Sequence, residues 1–192
     1  GMFADKLRTF LTAEPQITSP QNAVPLPEEP CDIEFRNVSF RYDNSDSWVL
    51  RHINMKIQAQ SKTAIVGYNG AGKSTLVKLL MRLYDPTEGE ILLNGRNIKD
   101  YDVEEYRHSF GTLFQDFQIY AASLGENVKM GLVDNADEKA IGEALKTAGI
   151  GENFCNLSVP LLREYDKNGR LVSGGEAQKI AMARAFLKDP HT

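Results

Sequence analysis

Cysteine is nearly absent. Cys31 and Cys155 are the only two in 192 residues; they lack metal-site spacing and are too few for a disulfide framework in a domain of this size. A disulfide-stapled scaffold and a cysteine-rich metal domain are thereby excluded, and a reducing, cytoplasmic setting is expected. No run approaches the ~18 consecutive apolar residues of a membrane span, and the N-terminus carries no signal-peptide pattern, so this stretch is not expected to cross a bilayer itself. A basic excess is missing too: 22 Lys and Arg against 26 Asp and Glu give a net charge of -4, which lends no support to nucleic-acid binding. Internal repeats and low-complexity tracts are not visible. With 42% hydrophobic and 25% charged residues, the composition is that of one ordinary globular domain, with room for a lobe.

The chain then divides by pattern. Phe3, Leu7, Phe10 and Leu11 form the apolar stripe of a short amphipathic helix that needs a surface to pack on. Residues 15 to 30 hold five of the eight prolines and read as an extended linker, so the globular part begins near Cys31. Ile33 and Phe35 alternate with polar residues, and after a shift at Arg36 and Asn37 the alternation resumes at Val38, Phe40 and Tyr42, which predicts a bulged strand. Ile53, Met55 and Ile57 predict a second strand, and Gly89–Gly95 and Phe110–Gln115 two more. From Ala121 the pattern is helical, with Ile141, Leu145 and Ala148 on one side of a helix over Asp137–Ala148.

Gly67, Tyr68, Asn69, Gly70, Ala71, Gly72, Lys73, Ser74 and Thr75 fit the phosphate-binding loop Gly-x-x-x-x-Gly-Lys-Ser/Thr at every fixed position. Glycine lets successive backbone N–H groups turn inward around an anion. Lys73 supplies a compact charge for the β and γ phosphates, the Ser74 hydroxyl suits Mg²⁺, and Thr75 extends the hydroxyl pair toward the α phosphate. The context fits: Thr63–Val66 read as a strand before the loop, and Leu76, Val77, Leu79, Leu80 and Leu83 as a helix after it. The expected ligand is ATP with Mg²⁺.

A second constellation lies near the C-terminus. Val172, Ser173, Gly174, Gly175 and Glu176 precede helix formers from Ala177 to Lys188; Ser173 can cap that helix while two glycines expose N–H groups at its positive end. With Gln178, Lys179 and Ala183-Arg184-Ala185, this run resembles the signature sequence of the nucleotide-binding domain of ABC (ATP-binding cassette) proteins. It departs from the family's Leu-Ser-Gly-Gly-Gln at Val172 and at Glu176, which brings a negative charge toward phosphates.

The resemblance, covering about Cys31 to Pro190, extends to smaller matches. Tyr42 resembles the A-loop aromatic that stacks on adenine, Gln115 the Q-loop glutamine that contacts Mg²⁺, and Glu164 with Gly169 the exporter-type loop before the signature. It implies an α/β fold: a P-loop NTPase core with an N-terminal antiparallel β layer and a helical subdomain over about 116–180. Residues 1–30 are then a membrane-helix end and linker, and 31–192 the N-terminal portion of the ATPase domain. The family's Walker B strand, its general base and the central strands it belongs to are expected beyond Thr192, and the 192 residues alone are expected to be inactive. The implied function is the ATP-hydrolysing motor of an exporter at the cytoplasmic face of the membrane. Its implied partners are a second nucleotide-binding domain, arranged head to tail, and a transmembrane domain in the same polypeptide. A non-hydrolysing regulatory module and a soluble ABC ATPase acting on ribosomes or DNA are the alternatives.

Overall fold

The structure is a computed structural model that describes residues 5, 7, 8, 11–114, 116–130, 137–151, 156–163 and 167–188. These divide into two compact units, 1–108 and 109–191.

The first unit is built on strand β1 (Ile33–Phe40), which pairs antiparallel with β2 (Leu50–Ile57) on one side and β3 (Glu88–Leu93) on the other. A short β4 (Arg96–Asn97) completes the order β2-β1-β3-β4. Ile33, Phe35, Val38 and Phe40 are buried, and the predicted shift is a register irregularity in both ladders, between Phe35 and Val38 against β2 and between Arg36 and Ser39 against β3. Asn37 takes a positive φ of 48° there, and its freed N–H donates to Asn54 Oδ1 at 2.9 Å, so the interruption leaves that donor satisfied. Helix α1 (Lys73–Leu80) turns Leu76 and Leu79 inward, and α2 (Val103–His108) buries Val103 and Tyr106.

The proline-rich segment, residues 15–30, contains bends, a turn and one isolated bridge from Val24 to Tyr101, and it is fastened to the unit. Ser19 Oγ donates to Asp102 Oδ2 at 2.7 Å and accepts from Val103 N at 2.9 Å, and Val24 N donates to Asp100 O. Buried Arg82 donates from Nη2 to Thr18 O and from Nη1 to Ile98 O and Tyr101 O. Of the amphipathic stripe, Leu7 and Leu11 are helical and exposed, while Phe3 and Phe10 lie outside the described residues.

Two predicted strands are not strands in this structure. Residues 63–66 and 110–114 form no ladder, and Val66 is 88% exposed. The reason is that a strand exists only by pairing, and among the described residues neither segment is part of a ladder.

The second unit is helical: α3 (Leu124–Lys129), α4 (Glu138–Thr147) and α5 (Gly174–Leu187). They share one core of Leu124, Val128, Ile141, Leu145, Leu161, Ile180 and Ala183. The predicted stripe of α4 faces that core, and Asp137 caps its start by accepting from Ala140 N.

Candidate functional site

The phosphate-type loop lies in the first unit. Gly70 and Gly72 both take left-handed φ, 87° and 86°. At Gly72 the requirement is double, because a Cβ would also stand 2.7 Å from Leu50 Cδ2 and 3.2 Å from Val49 O. Gly72, which has no side chain to cap with, is the N-cap of α1, and among the described residues no side-chain cap bond is made there, so its first N–H groups are left for a ligand. Lys73 folds back over the loop and donates to Gly67 O and Tyr68 O, both at 2.8 Å. Its ammonium is thus held at the loop by two neutral carbonyls, which an incoming phosphate outcompetes as an acceptor. Ser74 is exposed, as are Tyr68, Asn69 and Gly70 earlier in the loop. These donors, one ammonium, two adjacent hydroxyls and a glycine-shaped run of backbone N–H, fit a magnesium-bound triphosphate.

Tyr42 comes to the same place. Its hydroxyl lies 3.1 Å from Thr75 Oγ1, and its ring packs edge to face with Phe40 (4.9 Å, 83°) and Tyr84 (5.3 Å, 87°). The sequence placed Tyr42 at this site but gave no signal for Tyr84, whose contact spans 42 residues and two loops.

The second constellation lies in the second unit. Val172, the first departure from the family pattern, packs against the helical core as a leucine would. Ser173 caps α5 by accepting from Glu176 N, and Glu176 reciprocates by accepting from Ser173 N at 2.8 Å, a complete capping box. Glu176 therefore turns back on the helix start, and Arg170 reaches it at 3.2 Å. Hydrogen bonding from Ser173, then the Arg170 charge, hold the Glu176 carboxyl below its ordinary range, so it stays ionised and partnered. Arg170 was not foreseen; six residues upstream in a loop, it belongs to no periodic pattern. A Cβ at Gly174 or Gly175 would meet only open space, so packing does not explain either glycine. Farther along, Arg184 donates to Asn127 O (2.6 Å) and Asn127 Oδ1 (3.2 Å), fixing α5 to α3. Gln115 and Glu164 lie outside the described residues.

The family model described as ABC transporter matches residues 50–192. The chain belongs to the ABC transporter family. The mitochondrial iron-sulfur clusters transporter ATM1 of Saccharomyces cerevisiae is 40% identical over 177 residues, 92% of this chain and 25% of the yeast protein. The subtilin transport ATP-binding protein SpaT of Bacillus subtilis is 36% identical over 194 residues, covering 98% of this chain and 31% of that protein. The solved structure of a bacterial Atm1-family ABC exporter with ATP bound matches with a TM-score of 0.82 at 32% identity, over 98% of this chain and 33% of that one. The chain thus spans about a quarter to a third of the length of these ABC transporter relatives, and its α/β architecture is that of the exporter's ATP-binding domain. Among the described residues no helix is long and apolar enough to cross a membrane.

Proposed function

We propose that this chain is the nucleotide-binding part of an exporter's motor domain, with residues 1–30 joining it to a transmembrane domain of the same polypeptide and residues 31–192 forming the N-terminal portion of the ATPase domain. The loop at 67–75 binds MgATP at the cytoplasmic face of the membrane. Backbone N–H groups of residues 69, 70 and 72–74 cradle the phosphates, Lys73 neutralises the β and γ oxygens, Ser74 and Gln115 would hold Mg²⁺, and Tyr42 stacks on adenine. When bound, the metal ion offsets charge on the transferring phosphoryl group. Lys73 keeps the γ-phosphate in line for attack by water and stabilises the charge that develops there. Ser173, Gly174 and Gly175, with Glu176 closing the cap, meet the γ-phosphate held by a partner domain, so that triphosphate favours head-to-tail pairing and hydrolysis releases it.

The observation that carries this reading is the union at one point of Lys73 over the loop carbonyls, uncapped α1 and Tyr42 bonded to Thr75. The test is ATP hydrolysis and ATP-dependent cross-linking of paired domains by the full-length protein in nanodiscs. Lys73→Ala is expected to abolish both; unchanged turnover overturns the reading.

A further inference from the structure

Three aromatic rings meet at Tyr42. Phe40, Tyr42 and Tyr84 form a nearly equilateral triangle of ring centroids, 4.9, 5.3 and 5.5 Å apart. Both neighbours stand nearly perpendicular to Tyr42, at 83° and 87°. Two rings on opposite faces of a third would be separated by about twice their distance from it; here they are only 5.5 Å apart. They therefore lie to one side of Tyr42, and whichever ring offers its edge, at least one face of Tyr42 is covered by neither.

The ring is also fixed along its length. Phe40 is 4% exposed and anchors the group to β1, while Tyr84, 38% exposed, follows α1. Thr75, buried in the first turn of α1, holds the Tyr42 hydroxyl. One helix and its exit thus supply both restraints on Tyr42, and the same helix start forms the phosphate-type loop. For the Thr75 hydroxyl to donate to a phosphate oxygen, Tyr42 must be the donor in their mutual bond, so base platform and phosphate contact share one hydrogen-bond chain.

We propose that Tyr84 is a positioning residue for the nucleobase: with Thr75 it holds Tyr42 so that one ring face stays clear for a purine, and so sets how much the base adds to nucleotide affinity. This rests on the reading of Tyr42 as the base platform. Stacking depends steeply on ring orientation, and each edge-to-face pair is itself a modest restraint, so loss of one such pair loosens the platform while leaving the phosphate contacts in place.

The experiment is calorimetric titration of the full-length protein with MgATP and, separately, with magnesium tripolyphosphate, which carries the phosphates without the base. Tyr84→Leu keeps apolar bulk but removes the ring, and Tyr84→Phe restores the ring without the hydroxyl. Tyr84→Leu is expected to weaken MgATP binding about 3- to 10-fold, as loss of one aromatic pair implies. Tripolyphosphate affinity should stay within about twofold, and Tyr84→Phe should bind MgATP like the unaltered protein. Equal weakening of both ligands, or unchanged MgATP affinity in Tyr84→Leu, overturns the proposal. Lys73→Ala serves as the separate control: if it leaves both affinities intact, the phosphate-loop reading fails; if it weakens both while Tyr84→Leu does nothing, only the role of Tyr84 fails.

Discussion

Lys73 and Gly72 sit side by side and do unlike work. Lys73 has no carboxylate partner among the described ion pairs and spends its donors on two loop carbonyls, an arrangement suited to an ammonium that must exchange them for phosphate. Lys73→Ala should leave the melting temperature nearly unchanged while weakening MgATP binding by about tenfold or more, since charged hydrogen bonds of this kind contribute roughly 1.5–3 kcal/mol each; titration calorimetry with a parallel thermal melt separates the two effects. Gly72→Ala should act on the fold as well as on the loop. A left-handed φ and a 2.7 Å approach to Leu50 together should cost about 2 kcal/mol or more of stability, read as a lower urea midpoint. Both residues were legible in the sequence because the phosphate-loop chemistry is local, with its fixed positions Gly67, Gly72, Lys73 and Ser74 inside one short run. Tyr84 and Arg170 were not, because their importance comes from what the fold lays beside them.

The helices over 73–80, 138–147 and 174–187 were legible, and two of the expected strands did not form, for one physical reason. A helix closes its hydrogen bonds within itself, so the stripe of Ile141, Leu145 and Ala148 and the caps at Asp137 and Ser173 suffice to announce it. A strand is a property of two segments, and residues 63–66 and 110–114 have β-type composition yet join no ladder among the described residues. The capping boxes of α3 and α5 carry a pH dependence. Glu126 and Glu176 are both held below the ordinary range near 4.5, Glu126 chiefly by Ser123 and Glu176 chiefly by Ser173. A carboxylate favoured in the folded state stabilises above its unfolded pKa, and that contribution is lost as pH falls through the lower folded value. The urea midpoint should therefore drop on acidification from pH 7 to about pH 3, and Glu126→Gln with Glu176→Gln should flatten the drop. A sharper structural test is Asn127, fully buried, whose amide bonds Tyr120 N, Tyr120 O, Ala122 O and Ser123 O and receives Arg184. Asn127→Ala strands several of these groups at once and should cost about 2 kcal/mol or more in a urea melt.

At the scale of the molecule, the segment from Pro15 to Pro30 changes meaning once its contacts are known. Composition marked it as a linker, yet Ser19, Val24 and the Thr18 carbonyl are fixed to α2, to the turn before it and to buried Arg82. In the proposed exporter this is the connection to the membrane domain, so force applied there passes directly into the unit that carries the phosphate-type loop. Arg82 follows α1 and holds the carbonyls of Ile98, Tyr101 and Thr18, joining the loop's own helix to the strap. A strap held by a few polar contacts opens locally far more often than the sheet unfolds, and protease cleavage measures that opening. Ser19→Ala removes both bonds to Asp102 and Val103, a loss of roughly 1–2 kcal/mol, which should raise opening and therefore cleavage within residues 15–30 about 5- to 30-fold. The measurement is limited proteolysis followed by mass spectrometry of the fragments, with near-native stability of β1–β3 checked by circular dichroism. Cleavage at an unchanged rate would mean that the prolines and their packing, and not the Ser19 bonds, keep the strap in place.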